Sequence, residues 1–376
     1  MISPKLFYDE LNNHGVEFFT GVPDSLLKSM CAYITDNTPI ERNVIAANEG
    51  GAVGLATGYH LATGKIPVVY MQNSGLGNTV NPLLSLTDKL VYNIPLLLII
   101  GWRGEPGVKD EPQHLKQGMV TEALLDTMGI RHEVLVDEET ALADQVRGTM
   151  QYIKQSGEAF ALIVRNGTFA PYKLQKTEPS SFSLSRERAI QLVASSLSEH
   201  DAIVSTTGMI SRELFEYREA VDQGHKQDFL TVGSMGHASQ IALGIALSQP
   251  ERRVFCFDGD GATIMHAGAL AIIGALAPGN YYHVIFNNGA HDSVGGQPTV
   301  GLNIDIPSMA KACGYKTVAS IDNEEDLVRQ LGQLKQNEPP FLLEVKVKKG
   351  ARPDLGRPTT TPVQNKAALM DFLSKF

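Results

Sequence analysis

Two short motifs, one acidic and one made of amides, carry the clearest chemistry in this chain. FDGDG places Asp258 and Asp260 after the apolar run Phe255–Phe257, and FNN places Asn288 after the run His283–Phe286. Both runs read as buried strands, and Thr263–Ala277 carries apolar residues at helical spacing. Asp260 therefore sits where a strand ends and a helix begins, a place where free backbone N–H groups favour an anion. Asn288 lies 288 − 260 = 28 positions on, the length of one β-α-β crossover, so both side chains converge at one sheet edge. A carboxylate, an amide oxygen and nearby peptide carbonyls are hard ligands suited to Mg²⁺, which completes its octahedron with phosphate oxygens. An isolated Asp-Gly marks a solvent turn. The asparagine pair one crossover away instead describes a magnesium-bridged diphosphate site. Asp258 adds charge beside it, or orients or caps.

The elements that must hold these residues alternate along the whole chain. Helical patterns at Pro4–His14, Asp24–Tyr33, Glu49–Leu61 and Thr79–Leu86 are interleaved with strand patterns at Glu17–Thr20, Asn43–Ala46, Val68–Met71, Pro95–Ile100 and Phe160–Val164. Such alternation predicts an α/β fold with parallel sheets covered by helices on both faces. Periodicity is lost over Phe169–Ser185, which is rich in Pro, Ser and Lys. The predicted division is a first domain at 1–170, a linker at 171–185 and a second domain at 186–376. The second half repeats the plan with helix Arg186–Leu197, strand Ala202–Ser205, helix Ile210–Arg218, a helix containing Gly244–Leu247, the metal-site crossover and a last strand, Phe341–Val347.

Bulk properties bound the rest. At 376 residues, 43% hydrophobic and 19% charged, the chain suits two globular domains with ample cores. The longest apolar run, Ile94–Ile100, is far shorter than a membrane span, and MISPKLFYDELNN lacks the apolar region of a signal peptide. Cys31, Cys256 and Cys313 are far apart in apolar or helical settings, which predicts reduced core thiols and a cytoplasmic location. A net charge of −9 disfavours nucleic acid and acidic membrane surfaces as partners, so an anionic substrate must be met by local donors.

GDG followed at a distance by NN resembles the cofactor motif of the thiamine diphosphate (ThDP)-dependent decarboxylase superfamily. The resemblance covers nearly the whole chain. It implies two doubly wound parallel-sheet domains, a pyrimidine-binding one followed by a diphosphate-binding one, without the intervening third domain of longer members. It further implies ThDP and Mg²⁺ as cofactors, with Asp260, Asn288 and the backbone carbonyl of Ala290 as metal ligands and the turn Asp258, Gly259, Asp260, Gly261, Ala262 against the diphosphate. Thr263 is a further hydroxyl donor there, or simply a first-turn threonine. In STTGMIS, which follows a strand and opens a helix, Gly208 and Met209 resemble the loop whose N–H groups cradle the diphosphate; a plain capping loop is the alternative. Met235 resembles the bulky residue that bends the cofactor, although its spacing fits ordinary core equally well.

The first half supplies the groups that act on the reacting end. ThDP chemistry requires a carboxyl group at the aminopyrimidine, and NEGGAVGLATGYHLATGK puts Glu49 at a strand-to-helix junction. Alone, Glu49 is a carboxylate favoured by the helix dipole; in context it resembles the family's activating glutamate, a role that requires a raised pKa. Asp24 and Ser25 in GVPDSLLKSM read as N-caps, or as the acid and hydroxyl that the family points at the reacting carbons. The polar loop Gly101–Gly118 offers Arg103, Lys109, Gln113 and His114, either as solvated surface or as anion donors and an acid. Asn73 and Ser74 sit at another strand end, and His291 and Ser293 lie beside the metal loop, where His291 is a candidate proton donor or substrate contact.

Finer resemblance lies in GVPDSLL, MQNSGLGN, NNGAHDSVGGQPT and LGRPTTTP. It points to the two-domain branch that decarboxylates small 2-oxo acids with an anionic head, 3-phosphonopyruvate ahead of its sulfonate isostere. Arg357 is a candidate for the phosphonate, whereas Arg352 in KVKKGAR reads as an exposed basic strand end. Family geometry implies a homo-oligomer with active sites at the subunit interface. A non-catalytic subunit of the same fold remains a rival, whereas a nucleotide binder lacks both GxxxxGK[ST] and GxGxxG after a strand.

Overall fold

The computed structural model describes residues 1–177 and 179–375. The chain divides into two compact units, Met1–Glu178 with Val294–Gln297, and Pro179–Ser293 with Pro298–Phe376. The first contains β1 (Phe19–Gly21), β2 (Asn43–Ile45), β3 (Val68–Gln72), β4 (Leu97–Gly101), β5 (Arg131–Val134) and β6 (Phe160–Val164). The second contains β7 (Ala202–Ser205), β8 (Asp228–Leu230), β9 (Val254–Gly259), β10 (Tyr281–Asn287), β11 (Thr317–Ile321) and β12 (Phe341–Lys346). Every pairing between these strands is parallel.

The central strands are continuous apolar runs because both faces are covered. In the first sheet Val68, Tyr70, Leu97, Ile99, Phe160 and Leu162 face one core, while Val69, Met71, Leu98, Ile100, Ala161 and Ile163 face the other. The second sheet splits in the same way, with Phe255, Phe257, Val284, Phe286, Phe341 and Leu343 on one side and Val254, Cys256, Ile285 and Leu342 on the other. The period of two thus sorts side chains between two helical layers. The fold is α/β, two doubly wound parallel sheets.

The strand orders are β2-β1-β3-β4-β6-β5 and, read in the matching direction, β8-β7-β9-β10-β12-β11. They are the same order. In each sheet the chain leaves its first strand one way for the second and crosses the other way for the third. That opens a crevice at the carboxyl ends of β1 and β3, and another at those of β7 and β9, where α/β sheets bind ligands.

Several sequence expectations are corrected. The helix expected over Asp24–Tyr33 spans Lys28–Asn37, because Asp24 binds the N–H groups of Leu26 and Leu27 in a preceding turn. Gln113 and His114, expected in a loop, lie in the first turn of the helix Pro112–Thr127. The helix expected over Thr263–Ala277 is two, Asp260–Met265 and Gly268–Leu276, parted where Gly236 crosses against His266 and Ala262. In the expected linker, Tyr172, Gln175 and Lys176 hydrogen-bond to Asp36 and so pack with the first unit. The three thiols are free. Among the described residues no helix is long and apolar enough to cross a membrane.

Candidate active site

In the second unit the predicted metal ligands come together as adjacent strand ends dictate. β9 and β10 pair with Gly259 opposite Phe286, so Asp260 and Asn288 leave neighbouring strands side by side. Both are buried. The Asp260 carboxylate accepts from the Thr299 hydroxyl and from backbone N–H groups, among them those of Asn288 and Gly261. Burial nevertheless pushes its pKa up to about 6. Ala290 completes the loop, its N–H donating to Asn288 Oδ1 at 3.0 Å. Asp258, two residues back in β9, is fully buried, with Oδ1 accepting from Gly259 N–H and Oδ2 3.5 Å from His283 Nε2.

The remaining predicted cofactor residues surround this point. Gly208, at φ +97°, opens the helix Met209–Ala220, a backbone conformation that suits glycine. Its Cα region approaches Ser293, and Gly259 lies against Ile210. A methyl on Gly261 would lie 3.1 Å from the His291 ring and 3.4 Å from Met235 Cε, so these three residues form one cluster. Ala262 and Thr263 continue the short helix. His291 is neutral near pH 7, because burial lowers its pKa to about 4.

In the first unit, Glu49 is the first residue of the helix Glu49–Thr63, buried to 6% exposure after the N-cap Asn48. Asn78 Nδ2 donates to its Oε2 at 2.7 Å. Gly75 packs directly on the carboxyl, with no room for a methyl. The same segment, Gln72–Gly75, reaches Asp24, because Gln72 Nε2 donates to Asp24 Oδ1 at 2.6 Å and Ser74 Oγ donates to Gln72 Oε1. Asp24, fully buried, therefore caps its turn and anchors Gln72. Ser25 Oγ accepts from Arg103 Nη1 at 2.8 Å. Arg103 is committed to a bidentate pair with Asp110 rather than left open for an anion. Asn73 Nδ2 donates to the Arg103 carbonyl and to Thr121. Burial lowers the pKa of His114, and the nearby Arg103 charge lowers it further.

Arg352, expected as an exposed strand end, is held by Glu187, Glu216 and Asp354 in a half-buried ion cluster. Lys109 is exposed. A cavity of about 560 Å³, lined by His200, Asp201, Arg252 and Arg253, opens at the amino ends of β7 and β9, the opposite end of that sheet from Asp260. Sequence reasoning missed Asn78, Gln72, Asp110 and Thr299. Asn78 lies in the MQNSGLGN segment already singled out, but Thr299 reaches Asp260 across 39 positions with no local signature.

The chain belongs to the thiamine pyrophosphate enzymes. Residues 4–143 match their N-terminal TPP binding domain and residues 206–345 their C-terminal TPP binding domain. Among individual proteins it is 34% identical to a phosphonopyruvate decarboxylase of Streptomyces viridochromogenes, covering 94% of this chain and 90% of the relative. A phosphonopyruvate decarboxylase of Streptomyces hygroscopicus is 33% identical over 100% of this chain and 95% of its own. A sulfopyruvate decarboxylase of Methanosarcina acetivorans is 28% identical, with 85% of each chain covered.

The residues present fit the family's cofactor. Asp260 has no cationic side-chain partner among the described residues, and Thr263 Oγ1 is buried with no hydrogen-bond partner. A buried carboxylate without a counter-charge is costly, and so is a buried hydroxyl without a bond. A divalent cation answers the first, and a phosphate oxygen the second.

Proposed function

We propose that this chain is a ThDP- and Mg²⁺-dependent decarboxylase that converts 3-phosphonopyruvate to phosphonoacetaldehyde and CO₂. The observation that carries this reading is the full-length likeness to the two Streptomyces proteins. The crowded carboxyl of Glu49 and the uncompensated carboxylate of Asp260 support it. ThDP, when bound, supplies a carbon nucleophile and an electron sink for the bond to the departing carboxylate.

The protein's part is to bind, orient and move protons. Asp260, the Asn288 amide oxygen and the Ala290 carbonyl hold the cation. Backbone groups of Gly208, Met209, Asp258, Gly259, Gly261 and Ala262 line the diphosphate, and Thr263 donates its hydroxyl. Met235 packs against the cofactor body. Glu49 holds a proton at the aminopyrimidine, with Asn78 and Gly75 fixing where its carboxyl lies. Asp24, Ser25 and His114 serve the substrate end in the first unit, and His291 serves from the second. His114 and His291 are the candidate donors for the final protonation. Closing water out around the substrate carboxylate, while the phosphonate is anchored elsewhere, concentrates destabilisation at the bond that breaks.

The functional unit in this reading is a homo-oligomer in which Glu49 of one protomer faces Asp260 of its partner. Unusually apolar helix faces support it: Ala271, Ile272, Ala275 and Leu276 are exposed on Gly268–Leu276, and Leu115, Met119 and Val120 on Pro112–Thr127. A fully active monomer on gel filtration would defeat this part. Free buried thiols favour a reducing compartment such as the cytoplasm.

A coupled aldehyde assay comparing phosphonopyruvate, sulfopyruvate and pyruvate tests the substrate. Phosphonopyruvate is expected to turn over best; preference for pyruvate would sink the anion-anchor argument, and preference for sulfopyruvate would support the alternative that the Methanosarcina relative represents. Glu49→Gln separates enzyme from binding subunit, because the enzyme loses most turnover while still binding ThDP.

A further inference from the structure

Asn288 is gripped on both sides of its amide, and those bonds determine which atom faces a cation. Nδ2 donates to Asp292 Oδ2 at 2.7 Å, while Oδ1 accepts from Ala290 N–H. A carboxylate accepts but cannot donate, so the amide nitrogen belongs on the Asp292 side and the oxygen on the other. Asp292 is itself over-determined. The same Oδ2 accepts from Arg186 Nη1 at 2.9 Å and from Gly350 N–H at 3.0 Å. Arg186 is 4% exposed and makes a bidentate pair with Glu213, at 2.8 and 3.0 Å. A continuous chain therefore runs from Glu213 on the helix Met209–Ala220, through Arg186 on the helix Arg186–Ser195, to Asp292 and Asn288.

A buried ion pair of this kind is weak evidence for stability, since apolar replacements often do as well. Its geometry is instead that of the outer partners that orient a metal ligand. We propose that Asp292, anchored by Arg186, is a positioning residue that holds the Asn288 amide with its oxygen toward the cation. This rests on the ThDP–Mg²⁺ reading of Asp260 and Asn288. Without Asp292 the amide is free to flip and present N–H donors to a cation.

The test uses the full-length protein, saturating ThDP and Mn²⁺ as the probe, with free Mn²⁺ followed by electron paramagnetic resonance and with thermal melting of each metal-free variant. Asp292→Ala is expected to lower Mn²⁺ affinity about 10- to 100-fold, as losses of such outer partners do. Asp292→Asn, which keeps an acceptor oxygen for all three donors, should restore affinity to within about threefold of the parent by the same orientation argument. Should Asp292→Ala fail to fold, Asp292→Ser, too short to reach the amide, is expected to show the same loss. Unchanged affinity in the Ala or Ser variant would overturn the proposal. So would an Asn variant as weak as Ala, which would make charge rather than orientation the cause. If the parent protein shows no ThDP-dependent Mn²⁺ binding that Asp260→Ala abolishes, the cofactor reading fails and takes this inference with it.

Discussion

Gly75→Ala perturbs the proposed activating carboxyl without replacing a titratable group. A methyl at position 75 would lie 2.5 Å from Glu49 Oε1, 2.6 Å from its Cγ and 2.7 Å from its Cδ. Ordinary contact begins at 3.4 Å, so the Glu49 side chain must retreat by 3.4 − 2.5 = 0.9 Å, and its bond from Asn78 is strained or lost. The backbone does not object, because Gly75 has φ −74° and ψ −15°, which alanine adopts freely. Overpacking costs about 1–3 kcal/mol, and the stiffer unfolded chain returns about 0.4–1 kcal/mol. A net loss of roughly 1–2 kcal/mol leaves a domain of ordinary stability, about 5–15 kcal/mol, almost wholly folded. A displacement near 1 Å in a catalytic group, however, costs on the order of 100-fold in rate, or about 2.7 kcal/mol in barrier. The expected result is kcat down about 100-fold at saturating cofactor, with ThDP affinity changed far less and the melting temperature lowered by a few degrees. Gly148→Ala is the control, with open space around it on the exposed face of the helix Glu139–Ser156, and should stabilise by about 0.5–1 kcal/mol with activity intact. A Gly75→Ala enzyme within twofold of the parent would refute the claim that the position of the Glu49 carboxyl matters.

Other expectations follow from the ion pairs and the cation site. Arg218→Met leaves Asp228, fully buried and with its pKa raised by burial, without its bidentate partner, and should cost about 3–5 kcal/mol in urea unfolding. Asp110 behaves oppositely: burial works to raise its pKa, but the Arg103 guanidinium and the N–H groups of Glu111 and Gly104 hold it below the usual 3.8. Its contribution is therefore fully present above 3.8 and fades as pH falls through the lower folded value. The difference in urea midpoint between parent and Asp110→Asn should be constant from about pH 5 to 7 and shrink below about pH 4; a pH-independent difference would refute the assignment. With ThDP present, Mg²⁺ at about 100 times its dissociation constant should stabilise the parent by about 2.7 kcal/mol, an effect that EDTA removes and that Asp260→Ala lacks.

What was legible in the sequence was local. Asp260 and Asn288 stand out because strand ends and glycine turns leave short signatures, and β6 and β7 were read to the residue from their apolar runs. The edge strands β5, β8 and β11 were missed, two of them for a plain physical reason. β5, with the sequence RHEV, is half-exposed, and β11, with TVASI, is only partly buried, so neither carries the continuous apolar run of a covered strand. The helix Glu139–Ser156 was legible but unread, since Leu142, Val146, Met150 and Ile153 repeat at helical spacing and all are buried. Pro112 at the first turn likewise marks the helix that carries Gln113 and His114. Thr299, Asp110, Arg186 and Asp292 escaped because their partners meet only in the folded chain.

The repeated strand order explains why the proposed chemistry divides as it does. A doubly wound sheet of this order has one crevice, and the residues able to line it follow its first and third strands. In the first unit those positions hold Asp24, Gln72, Asn73 and Gly75, with Glu49 entering from the helix after β2. In the second they hold Gly208, Met209 and the Asp258–Asp260 turn, with Asn288 one strand further on. In the proposed function one crevice would offer an acid and amides to the ring of the cofactor, and the other a carboxylate and backbone N–H groups to the cation and phosphates. Neither set alone supplies both functions. The proposed decarboxylase therefore needs a crevice of each kind around one cofactor, and that requirement makes Glu49→Gln and Asp260→Ala a decisive pair. Each single variant should be nearly inactive, and mixing the two should restore part of the activity if each working site draws Glu49 from one protomer and Asp260 from another. Absence of any such complementation, in a mixture shown to exchange subunits, would place the Glu49 and Asp260 of each site on the same protomer.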